Sequence, residues 1–194
     1  MHKGEVVELH PTQIVVGYKE VELKEARLEG MTEKELDLYL QEHPFPVVTG
    51  PRNRKFMIDH HHLGLALVRR KHKHCYYNAV HEFHTIPPDK FFRVMSVMEL
   101  LYLGGPDGKL MSVTQIPKRV EDLVDDPYRS LAGVCRDAGG FTKVHTPYSE
   151  FQWASFFRDR IIIDKQDWEG TVKHAVQLAG TIEAKFLPGF IGLV

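Results

Sequence analysis

The chain predicts an α+β fold, a small mixed sheet with packed helices followed by a helical extension, and three observations lead there. Short β-type runs bounded by turn residues fall before residue 104. Later apolar residues instead recur at the three-and-four spacing of helices. Strand and helix signals are segregated along the chain, which argues against an alternating doubly wound sheet. No fixed-period repeat or low-complexity tract is present. The expected organisation is therefore a core over 1–104 with the extension, 105–194, packed on it.

In chain order, Val6, Val7 and Leu9 before Pro11 predict a short strand, and Glu20 to Glu29, rich in Glu, Lys, Leu and Ala, predicts a helix closed by Gly30. Thr32-Glu33-Lys34-Glu35 has the capping-box pattern and opens a second helix that must stop before Pro44. Pro46 to Thr49 and Lys55 to Ile58 read as strands joined by the turn tetrad Gly50-Pro51-Arg52-Asn53. His60 to Lys71 is helix-compatible, with Arg69, Arg70 and Lys71 favourably placed at its carbonyl end. Tyr76 to Phe83 predicts a strand, and Phe91, Val94, Met95, Met98, Leu101 and Tyr102 an amphipathic helix ended by Gly104-Gly105-Pro106-Asp107-Gly108. Pro127 to Asp137, Pro147 to Arg160 and Trp168 to Phe186 complete the helical reading.

The composition narrows the function classes. The 194 residues, 43% hydrophobic and 26% charged, are those of an ordinary globular domain rather than a disordered or disulfide-rich chain. Lys plus Arg number 25 against 26 Asp plus Glu, so the net charge of -1 supplies no global attraction to nucleic acid or membrane. Cys75 and Cys135 lie far apart with no CxxC motif, which fits a reducing cytoplasm. The longest apolar run, Leu63 to Val68, is far shorter than a membrane span, and the start Met-His-Lys-Gly-Glu does not read as a secretory signal. The unusual feature is its twelve histidines.

Three of them stand together in Ile58-Asp59-His60-His61-His62, where a predicted strand gives way to a helix. Free amides and the positive end of a helix dipole favour phosphate there, and imidazoles can donate hydrogen bonds or move protons near neutral pH. Consecutive side chains point in different directions, so without a tight turn three histidines make a poor ligand set for one metal; two of them with Asp59 make a better one, and Asp59 is the candidate for Mg²⁺. The alternative is that one or two rings cap the helix or bond buried carbonyls while the third is solvated. Gln13, Gly17, Lys19, Glu20 and Lys24 form a polar set after the first strand, and Arg52 and Arg54 sit in the turn before Lys55; these are candidate ligand contacts or ordinary surface charges. Arg69, Arg70, Lys71 and Lys73 form the strong basic run, either a DNA-backbone contact or a solvated helix end. Arg129 and Glu150 occur in aromatic helical stretches and would need partners if buried.

Pro11-Thr12-Gln13, Val16-Gly17, Glu20-Val21, Ile58-Asp59-His60-His61-His62-Leu63 with Ala66, and Asp126-Pro127-Tyr128-Arg129-Ser130-Leu131 together resemble the ParB-like nuclease family, within the wider ParB and sulfiredoxin fold. The resemblance covers most of the chain and implies a nucleotide-binding front half. The superfamily's junction reads like Asp-Gly-His-His-Arg and holds nucleotide phosphates. In one register Asp59, His61 and His62 match it, with His60 replacing the glycine and Leu63 at the arginine position; in a shifted register a histidine stands for the arginine. The implied function is binding of a nucleotide, another phosphorylated ligand or DNA, with phosphoryl transfer or phosphodiester hydrolysis. Asp59 would act as base or Mg²⁺ ligand, His61 and His62 would stabilise phosphate or shuttle a proton, and His60, Gln13, Gly17, Glu20, Arg52 and Arg54 would be contacts. A non-catalytic binding module and a helical interaction protein whose site has decayed are the alternatives. Cys75 lies outside the motif, so sulfiredoxin-type thiol chemistry is not implied.

Overall fold

The computed structural model describes residues 1–192 and is mixed α+β, as the segregated signals predict. The front half contains strands β1 (His2–Glu5), β2 (Leu9–Pro11) and β3 (Val15–Val16), helices α1 (Tyr18–Glu29) and α2 (Glu33–Glu42), strands β4 (Phe45–Thr49) and β5 (Lys55–Met57), helix α3 (His61–Arg69), strand β6 (His74–Glu82) and helix α4 (Pro88–Val97). Strand β7 (Val124–Asp125) and helices α5 (Pro127–Asp137), α6 (Ser149–Arg158) and α7 (Trp168–Ala179) follow.

Five strands form one curled mixed sheet in the order β1-β6-β4-β5-β2. β4 and β5 pair antiparallel as a hairpin, its turn made possible by positive φ angles at Arg52 and Asn53. β2 adds to β5 in parallel, and this brings its Pro11 end beside Met57, two residues before Asp59. The predicted capping box is present: Glu35 N–H donates to Thr32 Oγ1 and Thr32 N–H donates to Glu35 Oε2.

Three boundaries differ from the sequence reading. Val6–Glu8 is a 3₁₀ turn, and strand pairing is carried by β1, an exposed edge with no apolar alternation to announce it, and by β2. Helix α4 ends at Val97, where Glu99 takes a positive φ; Leu101 still reaches the core, which is why it shares the helical spacing. Gly180 closes α7, and the expected continuation towards Phe186 is only a 3₁₀ turn at Ile182–Ala184.

The front core packs α1, α2 and α3 on the sheet through Val21, Leu40, Phe45, Val47, Leu65 and Leu67. A second core holds α5, α6 and α7 around Leu131, Trp153 and Phe157. The halves interlock. β3 pairs in parallel with β7, α1 lies against α5, and the Tyr102 ring stacks on Phe151 with centroids 3.8 Å apart. Among the described residues no helix is long and apolar enough to cross a membrane.

Candidate functional site

The junction between β5 and α3 is where chain geometry and chemistry meet. Ile58 N–H donates to Pro46 O (3.0 Å), ending the strand, and His60 turns the backbone with φ 64° and ψ 22°. That left-handed conformation is unusual for a non-glycine residue. Asp59 accepts the His60 N–H at 2.6 Å, but no side chain caps the first turn of α3. Its leading amides and the positive dipole end are thus left for something else.

The three rings diverge as consecutive side chains must. His61 turns inward and is 3% exposed; its Nε2 accepts the Thr12 N–H at 3.1 Å. Burial pulls its pKa down to about 3, against the opposing pull of Asp59 and a Met57 backbone hydrogen bond. His62 Nε2 accepts the Gly17 N–H at 3.0 Å, and burial, reinforced by Arg129, drives its pKa well below the ordinary value. Both rings are neutral at neutral pH and fasten α3 to the segment before α1. The phosphate-stabilising and proton-shuttling roles expected of them would have to be performed by rings whose Nε2 atoms already hold backbone amides. His60 is partly buried, edge-on to Phe45, and its pKa is lowered by burial, with Lys24 and Lys143 adding to the drop and Asp59 opposing it.

Around His62 lies a charged cluster assembled from both halves. Glu20 Oε1 is 3.7 Å from His62 Nε2 and accepts a hydrogen bond from Arg129, while Arg136 pairs with Glu150. These pairs answer the partner question that Arg129 and Glu150 raise in the sequence. Burial pushes the Glu20 carboxyl above its usual range, opposed by Arg129 and Arg136. Glycine makes the fit: a Cβ at Gly133 would come 2.4 Å from Glu20 Oε1, and one at Gly17 would come 2.6 Å from Ser130 Oγ. Lys24, one turn beyond Glu20, is within electrostatic reach of Glu20 and Asp59, and burial lowers its pKa.

The remaining predicted contacts scatter. Gln13 is buried and donates from Nε2 to Val15 O. Arg52 and Arg54 are exposed at the far end of β5 from Asp59 and are not brought to the junction. In the basic run, Arg69 meets Glu25 at 3.8 Å and lies over the Tyr18 ring, and Arg70 meets Glu29 at 3.9 Å, so α1 supplies acids against it; Lys71 and Lys73 are exposed. No group of three His, Cys, Asp or Glu side chains suited to a metal occurs among the described residues. Arg136 is the cluster member that sequence reasoning passed over. Its position seven residues after Arg129, with Gly133 between them, is the one-face helical spacing that could have revealed it.

A protein-family model described as "Putative ParB-like nuclease" matches residues 2–159. The chain belongs to this family. The ParB-like match runs from β1 through α6 and so contains Asp59, the three histidines and the whole Glu20 cluster. A solved structure, that of protein Atu1540 from Agrobacterium tumefaciens, is 40% identical to this ParB-like chain, with a TM-score of 0.93 over 100% of this chain and 97% of that one. No curated protein matches the chain significantly.

Proposed function

We propose that this ParB-like chain binds a phosphate-bearing ligand, a nucleotide or a nucleic-acid phosphate, at the β5–α3 junction. The observation that carries the reading is the uncapped first turn of α3, beside which Lys24 and His60 stand. Backbone amides of that turn would receive phosphate oxygens, and Lys24 would supply the positive charge that a Leu side chain at position 63 cannot. His61 and His62 act as posts: by accepting the Thr12 and Gly17 amides they set the direction of α3.

Asp59 is the exposed carboxylate at this point and the group free to accept a proton from an attacking hydroxyl or water. Hydrolysis of a phosphodiester or transfer of a phosphoryl group is the chemistry this supports. One carboxylate does not make a magnesium cage, so Mg²⁺ would be held by Asp59 together with the ligand's own phosphate oxygens, neutralising their charge.

The test is a thermal-shift panel of nucleoside mono-, di- and triphosphates and short oligonucleotides, with and without Mg²⁺. A ligand at a hundredfold its Kd should stabilise the parent by about 2.7 kcal/mol. Lys24→Met should lose most of that shift, and Asp59→Asn should keep binding while losing any cleavage of oligonucleotide. Equal shifts in parent and Lys24→Met, or no shift with any phosphate, would overturn the site.

A further inference from the structure

A cleft of about 700 Å³ lies away from the histidine junction, between α1, α5 and the segment leading into α7. That is within the range of small-molecule sites. Its less exposed lining is Tyr18, Asp125, Pro127, Ser130, Ile163 and Trp168, and Lys19, Glu22, Leu23 and Lys165 stand more exposed. Part of the lining, Ile163, Lys165 and Trp168, lies beyond residues 2–159, outside the family-matched region.

Asp125 gives the cleft its chemical preference. It is half-buried, and its Oδ1 accepts the Tyr18 N–H at 2.8 Å, but no ion pair to it forms among the described residues. The cations nearby are engaged elsewhere or stand off. Lys19 pairs with Glu22 at 2.9 Å, Arg69 is against Glu25, and Lys165 is exposed without reaching Asp125. A carboxylate losing solvent with no counter-ion is costly, and it is set here among two aromatic rings and aliphatic side chains. Burial also pushes the Asp125 carboxyl above its ordinary range, with Asp126 and Glu22 adding to the rise and Arg69 opposing it.

We propose that this cleft is a second binding site, for a small organic cation: an amine or quaternary ammonium group carried on an apolar or aromatic body. Asp125 supplies the counter-charge, Trp168 supplies aromatic surface that attracts ammonium groups, and Tyr18, Leu23, Pro127, Val134 and Ile163 cover the apolar body. An anionic ligand of the same shape would meet Asp125 and be rejected.

The experiment titrates the full chain with benzyltrimethylammonium and phenethylamine, using phenylacetate and benzyl alcohol as anionic and neutral counterparts of similar size, by calorimetry and thermal shift. Both cations should bind, and the counterparts should bind at least tenfold more weakly. Asp125→Asn keeps an oxygen for the Tyr18 amide, so the fold is retained, and it should weaken the cations at least tenfold. Val134→Phe, which fills the cleft from the α5 side and leaves Asp125 in place, should weaken them likewise. The proposal is overturned if neither cation binds the parent at millimolar concentration, if phenylacetate binds as well as the cations, or if both variants bind like the parent. Lys24→Met, at the histidine junction, should leave cation binding unchanged; a matching loss there would move the cations to that junction and overturn the assignment to this cleft.

Discussion

His61 accepts a backbone amide with a ring that must stay neutral, and this gives the protein an acid limit. The folded ring takes a proton only near pH 3, whereas in the unfolded chain it does so near 6.5. Between those values the unfolded state binds the extra proton, so the stabilisation is complete above pH 6.5 and is lost progressively on acidification. At pH 5 this residue alone should cost the fold about 2 kcal/mol. Melting temperatures across pH 7.5 to 5 should fall, and in His61→Gln, less stable at pH 7.5, the fall should be visibly shallower; an identical slope would mean that the ring is not the source. His62 is displaced in the same direction, so some slope remains. The residues of this junction were legible in the sequence as a dense cluster, but their division of labour was not. Which ring turns inward depends on Thr12 and Gly17, more than forty positions away, and no local spacing encodes that.

At the scale of elements, α1 shows how much a helix can borrow. Its N-cap is Gly17, which has no side chain to offer, yet three successive amides are satisfied: Gly17 N–H by His62, Tyr18 N–H by Asp125 and Lys19 N–H by Ser130. The acceptors come from α3, β7 and α5. The price of this arrangement is close approach, since a Cβ at Gly17 would lie 2.7 Å from the Ser130 backbone nitrogen. Backbone cannot swing aside as a side chain can. Gly17→Ala should therefore destabilise the protein by about 1–3 kcal/mol, measurable as a lowered urea midpoint with an unchanged slope. Most element positions were readable from the sequence because capping, Pro and Gly signals are local: the Thr32 box and the Pro127–Asp137 helix are found where expected. The misses share a cause. β1 is an exposed edge specified by its partner β6, and Leu101 is apolar because it packs on the α4 layer, not because the helix reaches it.

For the whole molecule, early strands and late helices were enough to predict an α+β chain, and the family's motifs were spread widely enough to be seen in one sequence. What the pattern of runs could not show is that the two halves are joined by a buried ion pair, a strand pair and shared caps. Glu20 is matched by Arg129, β3 by β7, and the α1 amides by Asp125 and Ser130. The borrowed caps make the protein a natural candidate for splitting. Cut in the loop after Gly104, the front piece keeps its sheet but loses two of the three acceptors for α1, and the rear piece carries Arg129 into solvent without its carboxylate. Neither fragment should give a sharp melting transition alone, whereas mixing 1–104 with 105–194 should restore one, with an affinity that falls in Arg129→Met. Cooperative melting of the isolated front piece at the parent's temperature would show that it is self-sufficient. Reassembly would turn the α1 amino end into a molecular clasp, one whose closing reports directly on whether two separately made chains have found each other.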